Sequence, residues 1–205
     1  MGNEFKILHL PLRLSLGEAR LKLVPPFLYR VKAHILKKIH LTINQSSYYT
    51  VQNLPKYELA GWPLFVVSHT VSNIDGSSSR AYISVDPWSK VTNIFERMHD
   101  TLETPASRYN ITFNIPEDIE TDEILITAKN RLIFQIMRMR KFKISSLEIE
   151  SKLESIVYLP VWVCYYARTS RSLDVCLLDG YSGEKLGAQF RSAFLNALTS
   201  RLSQK

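Results

Sequence analysis

Two groups of side chains in this sequence have the composition for chemistry, and they follow one another along the chain. Glu117, Asp118, Glu120, Asp122 and Glu123 crowd together, as ligands of a divalent cation or paired proton-transferring carboxylates would. They lack the oxygen-donor spacing and turn glycine of a calcium loop. Thr121 is a fair helix N-cap, which puts Asp122 and Glu123 in the first turn, where the helix dipole favours anions. The cluster therefore reads as helix-end electrostatics. Lys129, Arg131, Arg138, Arg140, Lys141 and Lys143 follow with no acid among them, interleaved with Leu132, Ile133, Phe134, Ile136, Met137, Met139 and Phe142. On a helix Arg131 and Arg138 share a face and Lys141 sits near Arg138. Lys129, Arg131, Arg138 and Lys141 are thus the candidate face for an anionic partner, whether RNA, an anionic lipid surface or protein. No helix-turn-helix spacing, stacking-aromatic signature, KH glycine loop or zinc-finger pattern accompanies them. A solvated or protein-facing side of a half-buried helix is the plainer reading.

Other reactive residues are scattered. His9, His34, His40, His69 and His99 never fall at the spacing that puts two ligands on one helical face. No nucleophile elbow, zinc-protease motif or phosphate-cradling loop is present. Asp179-Gly180-Tyr181-Ser182-Gly183-Glu184-Lys185 has glycines and a lysine without the P-loop spacing, and reads as a turn. Cys164 and Cys176 are too few for a disulfide scaffold or a cysteine-based zinc site. If 168–173 closes a hairpin, they become near-opposite partners, which in a reducing compartment stay reduced and buried. The aromatics Trp62, Trp88, Trp162, Tyr165, Tyr166 and Tyr181 read as core and interface anchors rather than a stacking surface. No catalytic residue, cofactor or metal site is assigned.

These residues need a scaffold, and 205 residues with 45% apolar and 22% charged can bury a core as one large domain or two small ones. The net charge of +7 suits nucleic acid, an anionic membrane surface or an acidic protein partner. No run approaches a transmembrane helix. The first residues lack a secretory apolar region, and Lys6 stands where myristoylation wants Ser or Thr.

Leu8, Leu10, Leu12 and Leu14 alternate with His9, Pro11 and Arg13, an extended arm that Pro11 confines to a sheet edge or to no sheet. Ser15-Leu16-Gly17-Glu18 is a capping box for a short helix. Helices are expected over 26–41, 89–103, 187–202 and from Thr121 to Phe142, or on to Ser155 with a break at Ser145-Ser146. Strands are expected over 47–54, 62–71, 81–86, 109–115, 158–166 and 173–178. Pro63 to Val67 matches Pro160 to Cys164 at an offset of 97, and Val85 to Ser89 matches Leu178 to Ser182 at an offset of 93. The offsets differ by the difference in loop length, as an internal repeat would require.

The expected fold is α+β: antiparallel sheet built from two similar β-hairpin–helix units, covered by about five helices. Residues 1–24 form an arm and short helix, 25–115 the first unit and 116–205 the second, within one compact domain. The expected function is a non-catalytic accessory or scaffold subunit of a larger multiprotein assembly, intracellular, with a mitochondrial setting favoured and a cytoplasmic one left open. The leucine arm would dock on other protein subunits. The alternative is a basic RNA-binding or ribosome-associated protein.

Overall fold

A computed structural model describes residues 5–24, 54–73, 76–105, 108–138, 147–167 and 173–203. The described residues form a mixed seven-stranded sheet with the order β1-β6-β2-β3-β4, in which β5 also pairs with β2 and β7 with β6. The strands are β1 (Lys6–His9), β2 (Lys56–Asn73), β3 (Ser78–Val85), β4 (Thr92–Ile94), β5 (Ile111–Thr112), β6 (Leu147–Ala167) and β7 (Leu173–Asp179). Among the described residues there are three α-helices: α1 (Leu16–Lys22), α2 (Thr121–Arg138) and α3 (Ala188–Ser203). The expected helix at 26–41 and strand at 47–54 lie outside the described residues.

Two compact units emerge, neither a consecutive stretch. One comprises Met1–Leu12, Gly61–Arg108 and Thr112–Pro160; the other comprises Arg13–Ala60, Tyr109–Ile111 and Val161–Lys205. In the first, Ile124, Ala128, Leu132 and Ile136 of α2 pack into one apolar cluster with Phe65, Val67, Ile83, Val85 and Leu153. The four helical residues are spaced by fours, so they form one stripe. In the second, Ser15 caps α1: its Oγ accepts from Glu18 N, and Glu18 Oε2 accepts from Ser15 N at 2.8 Å. Ala193, Phe194 and Ala197 are the buried residues of α3.

The two hairpins share their register. Phe65 pairs with Val85 and Val66 with Ser84, while Trp162 pairs with Leu178 and Val163 with Leu177. These pairs are related by the offsets 97 and 93 read from the sequence. The turns closing the two hairpins' second strands also match bond for bond. Asp86 Oδ1 accepts from Trp88 N at 2.8 Å and Ser89 N at 3.2 Å; Asp179 Oδ1 accepts from Tyr181 N at 2.8 Å and Ser182 N at 3.2 Å. Lys90 N donates to Asp86 O at 2.9 Å, and Gly183 N to Asp179 O at 2.8 Å.

Past these turns the two segments diverge, and this overturns the expected pair of hairpin–helix units under about five helices. Beyond Asp179 comes α3. Beyond Asp86, in place of the expected helix over 89–103, come β4 and a single 3₁₀ turn, Met98–Asp100. Two causes compete with the helical spacing of Val91, Ile94, Phe95 and Met98. Lys90 has φ of 57°, which no helix continues through, and β4 pairs with β3, Ile94 opposite Ile83. The sheet is not purely antiparallel either, because β1 runs parallel to β6. The long helix stops at Arg138 among the described residues, and 147–155 is strand rather than its continuation.

The two turns place a residue with positive φ at the same step, Lys90 in one and Gly183 at φ 75° in the other. A Cβ on Gly183 would lie 2.7 Å from Lys22 Nζ and 3.2 Å from Leu14 Cδ1. Gly183→Ala should therefore lower stability by about 1–2 kcal/mol in urea unfolding. Lys90→Gly should shift the midpoint the other way, by less than about 1 kcal/mol, since it also removes an exposed ion pair to Glu123. A neutral Gly183→Ala would show that the turn does not require glycine.

Candidate interaction surface

The leucine arm has a place in its own fold. Lys6 to His9 pair with Ser155 to Tyr158, and Leu10 N donates to Tyr158 O at 3.0 Å. His9 and Leu102 exchange backbone hydrogen bonds of 2.7 and 2.8 Å. Leu8 and Leu10 are buried, and Leu12 is half-buried. Of the two places Pro11 leaves open, the arm takes the sheet edge: β1 is the end strand of the order, and its ladder stops before Pro11, so the missing N–H breaks no pairing. In the second unit Arg13 N and Leu14 N both donate to Gly180 O, at 3.0 and 3.1 Å. Leu14 is half-buried, and its carbonyl accepts from Trp162 Nε1 at 3.0 Å. The four leucines are therefore not presented together as one free edge.

The three described cations of the candidate face, Lys129, Arg131 and Arg138, are not brought onto one face either. At about 100° per residue, Arg131 and Arg138 lie on one side of α2 and Lys129 about 160° or more around from them. Lys129 and Arg138 are exposed and Arg131 is half-buried; Lys141 lies outside the described residues. Lys129 instead acts on a buried histidine. Burial first, and the Lys129 charge second, push His69 down to about 4. His69 Nδ1 lies 2.9 Å from Ser151 Oγ, and its Nε2 is buried without a partner.

The side of α2 turned away from the core carries what sequence reasoning missed. Ile126, Phe134 and Met137 are 61%, 53% and 57% exposed on a helix whose opposite face is fully buried. Ile126, Asn130, Ile133 and Met137 are spaced by four, three and four, the alternation of a helix–helix seam. Phe134 borders this seam on one side and Lys129 on the other. From Ile124 to Arg138 there is no acidic residue. The interleaving of cations and apolar residues was visible in the sequence. Which apolar residues the chain's own sheet would cover was not.

The second unit gathers titratable groups around the β6–β7 pair. Cys164 and Cys176 are direct partners in the antiparallel register, and both thiols are free. Cys164 is buried and Cys176 only partly so, which corrects the expectation that both are buried. Burial pushes Cys164 up to about 11, and burial with the Asp174 charge raises Cys176. The Tyr57 phenol is pushed up to about 12 by burial and then by Cys164, and its hydroxyl donates to Leu23 O at 3.2 Å. Burial, then Asp174, pushes Tyr166 up to about 12. Arg191 holds Asp174 through two hydrogen bonds, one from Nε at 2.8 Å and one from the terminal nitrogen. Burial alone would raise Asp174; the Arg191 bonds and the Val175 N–H outweigh it, so its carboxyl lies below the ordinary range.

Among the described residues no three His, Cys, Asp or Glu side chains are grouped to hold a metal ion, and no helix is long and apolar enough to cross a membrane. No protein-family model matches the chain, and no curated protein or solved structure matches it.

Proposed function

We propose that the chain is a non-catalytic accessory or scaffold subunit of a larger multiprotein assembly, held there by the outward seam of α2. The observation that carries this reading is a helix apolar on two sides, of which its own sheet covers one. Covering Ile126, Phe134 and Met137 with a partner is worth about 1.5–3 kcal/mol for each side chain fully buried. Association itself costs at least about 4 kcal/mol, so the seam anchors a contact that needs further area around it. A mitochondrial setting is part of the proposal and rests on the basic balance of +7. Among the described residues, the divergence of Lys129 from Arg131 and Arg138 gives the RNA-binding alternative no continuous track on α2.

Sedimentation of the tagged chain from the cell that makes it tests the reading. The wild type should travel in a species well above 23.6 kDa. The triple variant Ile126→Gln, Phe134→Gln, Met137→Gln should travel alone. Because these positions are exposed, the isolated variant's unfolding free energy should change by no more than about 0.5 kcal/mol per site. A wild type that sediments alone, or a variant that keeps the large species, removes the proposal.

A further inference from the structure

We propose that Cys164 and Cys176 constitute one dithiol site that takes a low-molecular-weight disulfide of the glutathione class and is oxidised by it to a cross-strand disulfide. The geometry begins with register. Cys164 on β6 faces Cys176 on β7 in an antiparallel ladder. Directly opposed residues in such a ladder have Cα atoms about 4.5 Å apart in one type of pair and about 5.5 Å in the other. Both separations fall inside the range a disulfide spans without backbone movement, roughly 4.4–6.8 Å. Flanking pairs such as Val163 with Leu177 and Tyr165 with Val175 hold the two cysteines opposite each other.

Access is unequal in the way a two-step exchange requires. Cys176 is partly exposed and Cys164 is buried. The Cys176 thiolate attacks one sulfur of the incoming disulfide. A mixed disulfide forms, and one small thiolate leaves and takes up the Cys176 proton. Cys164 then gives up its proton and attacks the Cys176 sulfur. The cross-strand bond forms and the second small thiol leaves. The protein dithiol loses two electrons and two protons, and the small disulfide becomes two thiols. Burial holds both thiols in the protonated form at neutral pH, so their exchange is slow. A mixed disulfide on Cys176 is nevertheless short-lived, because the resolving thiol is its immediate cross-strand neighbour.

The test is intact-mass spectrometry of the reduced full chain, folded, after incubation with glutathione disulfide. The wild type should lose about 2 Da with no lasting adduct, and dithiothreitol should restore the starting mass. Cys164→Ala, which keeps a small apolar side chain in the buried position, should instead keep one glutathione on Cys176. Cys176→Ser should react at least tenfold more slowly than wild type, since only the buried thiol remains. Circular dichroism of each variant establishes that it is folded before exchange. A wild type that accumulates the same stable adduct as Cys164→Ala overturns the proposal, as does one that does not react. A Cys176→Ser chain that exchanges as fast as wild type does so too.

Discussion

Trp62→Ala should remove most of the chain's stability. Trp62 is fully buried, with its ring edge-on to Phe113 at 5.1 Å and tilted against Trp88 at 6.3 Å. Its Nε1 donates to Asp86 Oδ2 at 3.2 Å, beneath the turn that ends the first hairpin. Truncating a core tryptophan costs about 3–5 kcal/mol through lost transfer energy and the cavity left behind. Depriving the buried Asp86 carboxylate of a donor adds about 1–3 kcal/mol. The sum approaches the whole stability of an ordinary domain, about 5–15 kcal/mol. Urea unfolding followed by circular dichroism should show a midpoint less than half that of wild type. Trp62→Phe keeps most of the volume and loses only the donor, so its loss should be less than half as large. A Trp62→Ala loss under about 2 kcal/mol would show that Trp62 does not anchor this core.

Acid should destabilise the chain as the pH falls from 6.5 toward 4. His69 is pushed down to about 4 in the folded chain, from an ordinary 6.5. The unfolded chain therefore takes up the proton first. The contribution of neutral His69 is complete above pH 6.5 and drains away as pH falls toward 4. Over that window it amounts to about 3 kcal/mol. Ser151 Oγ lies against the ring and the Lys129 charge acts on it, and neither offers the imidazolium a negative partner. His9 is pushed the same way by burial, so His69→Gln should remove the larger part of the slope rather than all of it. Asp174, held low by Arg191, adds its own loss as the pH falls through the ordinary carboxylate value and below it. Equilibrium unfolding free energies measured from pH 7.5 to 4 check this. Equal slopes for wild type and His69→Gln would show that His69 does not control the window.

Much of the first unit's hairpin was legible, because residue type and offset carry register directly. Asp86-Pro87-Trp88-Ser89 and Asp179-Gly180-Tyr181-Ser182 put an aspartate where its carboxylate caps two following N–H groups, and that chemistry is local. The helix expected over 89–103 failed because its apolar spacing also suits a short edge strand, and a tertiary pairing with β3 decided between them. Residues 147–157 did carry a strand signal: Ile149, Leu153 and Val157 fall on alternate positions opposite Glu148, Glu150, Lys152 and Glu154. The glutamates and lysine are good helix formers, and they masked it. The α2 seam could not be found in one dimension. Ile124 and Ile126 are equally apolar, and only the packing of the sheet says that the first is core and the second is surface.

The parallel pairing of β1 with β6 has a consequence for how the chain is made. Lys6 bonds opposite Ser155, so the first strand waits for a partner synthesised 149 residues later (155 − 6 = 149). At about 5–20 residues per second, that wait is roughly 7–30 s on the ribosome. Throughout it, Leu8 and Leu10, buried in the finished fold, lack the strand that will cover them. Non-local closure of this kind is slow to form and late to be rewarded. The closing of this edge of the sheet is thus timed by the emergence of β6.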